Sequence, residues 1–171
     1  LLHAELSLAP AEPYRVMIVD DDQDLLDLYD SILGGAGYSV RTADNAQNAL
    51  SLLDQFQPEL VLIDVSMPVC NGIELGRIIR QHEEFSTIPL LFMSAVADTE
   101  TQLACARLAN DEFITKPIEP WRLLMMVKSR VVKGRQLRSL NRTLTGPEAD
   151  MIQDPLTALP KLAEVRRALN G

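Results

Sequence analysis

Five short apolar runs punctuate the first 120 residues of this chain, each followed by residues at helical spacing. Arg15-Val16-Met17-Ile18-Val19 leads into Asp20-Asp21-Asp22. Leu25, Tyr29, Ile32, Leu33 and Ala36 then recur three and four apart, the mark of one buried helix face. Gly34, Gly35 and Gly37 close that helix. Tyr38-Ser39-Val40-Arg41-Thr42 reads as a second strand, and Asn45 is placed to cap a helix faced by Ala46, Ala49, Leu50 and Leu53. Pro58 separates it from the third run, Leu60-Val61-Leu62-Ile63, which ends at Asp64. An unbroken apolar run bounded by turn residues fits a strand buried on both faces.

Past Gly72, residues Leu75, Ile78, Ile79 and His82 give a third helix face. Leu90-Leu91-Phe92-Met93 is a fourth strand ending at Ser94, followed by an Ala-rich fourth helix over about residues 98–108. Glu112-Phe113-Ile114-Thr115 is a fifth strand ending at Lys116-Pro117. A long fifth helix starts near Glu119 with Leu123, Leu124, Val127 and Val131 on one face. This alternation predicts an α/β fold, a doubly wound five-stranded parallel sheet with helices on both faces and an extended C-terminal helix.

What ends the strands adds chemistry to the pattern. Four of the five finish at Asp20-Asp21, Asp64, Ser94 and Lys116, and a parallel sheet brings all four to one edge. Carboxylates about 4 Å apart repel by ~4 kcal/mol at an effective dielectric near 20, so the cluster either raises pKa values or holds a cation. Oxygen ligands without His or Cys favour Mg²⁺ over zinc. A hydroxyl and an amine at the same edge suit phosphoryl oxygens, and the set fits phosphoryl transfer with Asp64 as the nucleophile. Asp22 and Asp24 read as loop and helix-start acids. His82 reads as part of an amphipathic face, and Cys70 and Cys105 lack metal-ligand spacing.

Composition narrows the class without changing the fold. Hydrophobic content of 47% and charged content of 23% are ordinary for a globular protein. No apolar run reaches the ~18 residues of a membrane span, and no signal peptide is legible, so a reduced cytoplasmic setting is expected. The chain starts at Leu1 instead of Met, which suggests a segment of a longer protein. Its net charge of −8 is unevenly spread: residues 122–142 hold 7 basic residues and no acid. No helix-turn-helix pattern follows them and no aromatic residue interleaves, so direct nucleic-acid binding is not expected.

These residues carry a resemblance. Val19-Asp20-Asp21 after an apolar strand, Asp64-x-x-Met67-Pro68-x-x-x-Gly72, Ser94-Ala95 and Lys116-Pro117 together resemble the receiver domain of two-component response regulators, over residues 15–133. The resemblance implies a flavodoxin-like receiver fold in which Asp64 is the phosphoacceptor, supplied by a histidine kinase or phosphotransfer protein. It implies Mg²⁺ bound by Asp21 directly, by Asp20 through water, and by Asp64 and the backbone carbonyl of Ser66. Ser94 and Lys116 would contact phosphoryl oxygens, and Ser94 and Phe113 would be the switch residues. The surface of the fourth helix, fifth strand and fifth helix would pair with another receiver or re-aim the long helix. Two alternatives remain at this point. One is a haloacid-dehalogenase-like phosphatase opening on Asp20-x-Asp22; the other is a receiver-like binding module that takes no phosphate.

The flanks are read more simply. Residues 1–14 are an Ala/Pro/Leu-rich tail or linker. Leu137, Leu140 and Leu144 suit a short coiled-coil stalk within a helical linker over residues 134–153, with Gly134 interrupting the stripe. Asp154-Pro155-Leu156-Thr157-Ala158-Leu159-Pro160 resembles the opening of a GGDEF (diguanylate cyclase) domain, with Ala158, Lys161 and Leu162 in place of its usual Gly, Asn and Arg. Residues 154–171 would be the truncated, divergent start of such a domain. The fragment lacks the catalytic signature itself, so any enzymatic output would belong to a longer protein.

Overall fold

The computed structural model describes residues 12–95 and 111–144. The predicted fourth helix, most of the N-terminal tail, Cys105 and the GGDEF-like segment lie outside them. The chain divides into two compact units, Leu1–Gly134 and Arg135–Gly171. In the first, five strands form one parallel sheet: β1 (Arg15–Val19), β2 (Ser39–Ala43), β3 (Leu60–Asp64), β4 (Leu90–Ser94) and β5 (Glu112–Thr115). Their spatial order is β2-β1-β3-β4-β5. That is the order of flavodoxin-like folds, with the switch point between β1 and β3.

Three helices connect the strands: α1 (Gln23–Gly35), α2 (Ala46–Phe56) and α3 (Gly72–Gln81), the last followed by a 3₁₀ turn at Glu83–Phe85. α4 (Pro120–Leu144), the fifth helix of the sequence reading, runs through Gly134 without a break and across the unit boundary. Glycine inside a helix costs about 1 kcal/mol relative to alanine, which a helix of this length tolerates. In the second unit the described residues are the last turns of α4, where Leu137, Leu140 and Leu144 are exposed.

Successive strand residues point to opposite faces, so the apolar runs fill two cores. Met17, Val19, Val61, Ile63, Leu90 and Phe92 pack with Ala49 and Leu53 of α2 and Leu75 and Ile79 of α3. Val16, Ile18, Leu60, Leu62, Leu91 and Met93 pack with Leu26, Tyr29 and Leu33 of α1 and Leu123, Val127 and Val131 of α4. Every residue of β3 and β4 is buried, as their unbroken apolar pattern requires.

Some details of the faces differ from the periodic reading. Leu26, unassigned by that reading, is fully buried, while Leu25 and Ile32 are partly buried and Ala36 is an exposed cap. His82 is not on the α3 face. It caps the helix from outside and lies exposed with its ring edge-on to Phe85. Tyr14, at the end of the predicted tail, packs on Tyr38, and its carbonyl accepts from Ser39 N at 2.9 Å.

Helix ends follow local chemistry. The Asp22 carboxylate accepts from the backbone N–H of Asp24 and Leu25, and the Asn45 side chain accepts from Asn48 N. Asn71 and Glu74 close a reciprocal capping box at the start of α3.

Candidate functional site

The carboxyl edge of the sheet gathers the side chains that ended the strands. Asp20 follows β1 and Asp64 ends β3; both are buried, at 1% and 4% exposure, while Asp21 is exposed. One carboxylate oxygen from each of the three lies within 4.8 Å of the others. The Lys116 amine, just past β5, donates to Asp20 Oδ2 at 2.6 Å and lies 3.0 Å from Asp64 Oδ1. Lys116 is thus drawn across β3 and β4 to the first strand. The other oxygen of Asp20 accepts from Asp22 N at 3.0 Å, which fixes the carboxylate.

Burial raises the pKa of Asp64; the hydrogen bond from Lys116 opposes the rise and the Asp20 charge adds to it. Burial also works against the Lys116 ammonium, but hydrogen bonds to Asp20 and Asp64 outweigh it and its pKa lies above the ordinary lysine value. Two carboxylates face one amine and a third lies beside them, so negative charge is in excess. An all-oxygen, anionic donor set of this kind fits a hard divalent cation such as Mg²⁺.

Ser94 is buried at the end of β4, where β3 pairs Asp64 with its neighbour Met93. The Ser94 carbonyl accepts from Lys116 N at 2.7 Å, which ties the β4 and β5 ends together, and the Lys116-Pro117 peptide is cis. Phe113 is half-buried on β5 opposite Phe92 and packs against the α2–α3 core. Ser66 is exposed in the loop after β3. Asp22, which the phosphatase alternative needs as a second catalytic acid, is spent on the α1 cap.

Two features were missed by sequence reasoning. Gly72 is required by a close approach: a Cβ there would lie 2.1 Å from the Asp64 carbonyl oxygen. Its N–H donates to Val65 O at 3.0 Å, closing the loop base and seating α3 on the strand end. The Met-Pro and Gly spacing hinted at a shaped loop, but not at this contact. The second is a buried ion pair between Arg80 and Asp111, for which isolated charges in the sequence carry no signal.

The chain is similar to known proteins. The family model described as "Response regulator receiver domain" matches residues 16–128. An uncharacterized 76.5 kDa protein from the phbC 3′ region of Thiocystis violacea is 36% identical over 131 residues, 77% of this chain but 19% of that protein. An uncharacterized 14.6 kDa protein from the sodA1 3′ region of Leptolyngbya boryana is 36% identical over 113 residues, 66% of this chain and 86% of that protein. The crystal structure of a putative response regulator from Chloroflexus aurantiacus superposes with a TM-score of 0.66 at 32% identity, covering 70% of this chain and 98% of that one.

Proposed function

The chain belongs to the response-regulator receiver-domain family of two-component signalling, and from that premise we propose that it is a phosphorylation-controlled switch with Asp64 as the phosphoacceptor. The donor is a phosphohistidine on a histidine kinase or phosphotransfer protein, the class of partner that receiver domains engage. An Asp64 oxygen attacks phosphorus, the N–P bond breaks, and its electron pair returns to the donor imidazole, leaving an acyl phosphate on Asp64.

The observation that carries the reading is the Lys116 amine held by both Asp20 and Asp64 in a buried, acid-rich pocket. Lys116 keeps a positive charge where phosphoryl oxygens would gather, and the Ser94 hydroxyl is the second donor on that side. Asp20, Asp21, Asp64 and the Ser66 carbonyl would hold Mg²⁺, which supplies charge neutralisation for the incoming phosphate. Phosphorylation adds roughly −1.5 to −2 charges at Asp64. Ser94 and Phe113 then reposition, and the change passes to the surface beside β5 and α4. To carry the switch from 1% to 99% active, phosphate must favour the active state by about 5.5 kcal/mol. That surface would pair with a second receiver or re-aim α4 toward an output related to the GGDEF-like segment.

Incubation with acetyl phosphate and Mg²⁺, followed by intact mass spectrometry, tests the site. The wild-type chain gains one phosphoryl group, and Asp64→Asn gains none. Labelling of Asp64→Asn at the wild-type rate overturns the assignment.

A further inference from the structure

Between the end of β1 and the start of α1 the chain makes two side-chain-closed turns in succession. The Asp20 carboxylate accepts from Asp22 N at 3.0 Å. The Asp22 carboxylate in turn accepts from Asp24 N at 3.0 Å and from Leu25 N at 3.3 Å. Both are Asx turns, in which a short acidic side chain bonds the backbone two residues on. The second is also the N-cap of α1, and Asp22 holds the extended backbone, φ −90° and ψ 108°, that a cap requires. Upstream, Asp20 N donates to Ala43 O at 3.1 Å. Asp21 therefore sits on a stretch of backbone tied down on both sides. Asp20 itself is gripped at both oxygens, one by the Lys116 amine and the other by the Asp22 N–H.

We propose that Asp22 is a positioning residue for Mg²⁺. By capping α1 it fixes the direction of its own N–H, and through that bond the Asp20 carboxylate and the backbone that carries Asp21. The inference rests on Asp20, Asp21 and Asp64 forming the metal site. Asp22 stands outside that three-acid cluster, because its carboxylate is committed to the helix. Mg²⁺ demands near-ideal octahedral geometry, so its affinity depends on ligands that are already aimed. Without the cap, the peptide after β1 turns its N–H to water and Asp20 loses the bond that balances Lys116. The ion must then order the carboxylates itself. Partners that orient metal ligands in this way are worth about 10- to 100-fold in affinity. The rival account is the negative charge of exposed Asp22 acting at a distance. The two accounts separate cleanly: a cap needs an acceptor oxygen, which asparagine and serine also carry, whereas attraction needs a charge, which neither carries.

The test is isothermal titration calorimetry with MgCl₂ at fixed ionic strength on the full chain and its Asp22→Ala, Asp22→Asn and Asp22→Ser variants. Asn45→Ala is the control. Asn45 caps α2 in the same way, accepting from Asn48 N at 2.8 Å, but α2 follows the strand that supplies no site residue. Asp22→Ala loses about tenfold in Mg²⁺ affinity. Asp22→Asn and Asp22→Ser stay within about threefold of wild type, because an exposed charge is screened by salt. Asn45→Ala keeps the wild-type affinity although its Tm falls. Should Asp22→Ala fail to fold, Asp22→Gly removes the same acceptor at less cost to the helix start. Wild-type affinity in the variant that lacks the acceptor overturns the proposal. Equal losses in all the Asp22 variants overturn it in favour of charge, and a matching loss in Asn45→Ala overturns it in favour of general destabilisation. If the wild-type chain takes up no Mg²⁺, the metal site itself falls, an outcome distinct from the others.

Discussion

Lys116 faces two carboxylates at the carboxyl edge of the sheet, Asp20 and Asp64, with Asp21 beside them. At the other end, where β4 and β5 begin, Arg80 faces a single carboxylate, Asp111. Both clusters are largely buried, but only the second balances its charge. Arg80 also donates to Phe85 O at 3.1 Å, and Asp111 accepts from Leu90 N at 3.4 Å. One pair thereby ties the end of α3, the 3₁₀ turn, β4 and the approach to β5. A balanced buried pair holds elements in place, and removing one partner leaves a charge with nowhere to go. An unbalanced cluster keeps unspent negative charge, which serves binding and chemistry better than stability.

The comparison can be broken from either side. The largest stability effect is expected from Asp111→Ala, a loss of about 3 kcal/mol in denaturant unfolding, because Arg80 is left buried without its partner. Acetyl-phosphate labelling of that variant should stay within about twofold of wild type. A stable Asp111→Ala, or one that fails to label while folded, would remove the division of labour.

Next in size is the response to metal. Mg²⁺ at 100 times its Kd should stabilise the fold by about 2.7 kcal/mol, measured by thermal unfolding. Asp21→Asn should lose most of that gain while unfolding like wild type without metal, because Asp21 is exposed. An unchanged Mg²⁺ response in Asp21→Asn would take this residue out of the ligand set.

The smallest effect is the most diagnostic of unspent charge. Without metal, Asp64→Asn should be more stable than wild type at neutral pH, by under about 1 kcal/mol. The amide sheds repulsion from Asp20 but exchanges a charge-assisted hydrogen bond with Lys116, of ~1.5–3 kcal/mol, for a neutral one of about 1 kcal/mol. The sign follows from burial, which raises the pKa of Asp64 above its unfolded value of 3.8. Folded protein then binds more protons than unfolded protein in that window, so wild-type stability falls as pH rises from 3.8 through the raised value. Asp64→Asn lacks this group, so its advantage should open over the same interval and stay constant above it. An advantage that shrinks with rising pH would mean that the cluster stabilises the fold.

Much of the site was legible because a parallel sheet turns strand ends into neighbours. Once β1, β3, β4 and β5 were read from their apolar runs, Asp20, Asp64, Ser94 and Lys116 had to share an edge. Periodicity was less sharp on helices. Leu26 was passed over and His82 was placed on a face it does not occupy, because one residue at a helix end changes direction by about 100° and the end itself is set by capping.

Over the described residues, the amino-acid order by itself determined which segments are strands and helices, which residues crown the sheet, and the family they belong to, since these follow from local periodicity and strand-end position. Only the tertiary structure decided that Lys116 reaches past two strands to Asp20, that Arg80 finds Asp111 from 31 residues away, and that Gly72 must lack a side chain beneath Asp64. Those are meetings of distant atoms and of backbone with backbone, and they depend on distances that no local pattern of residues encodes.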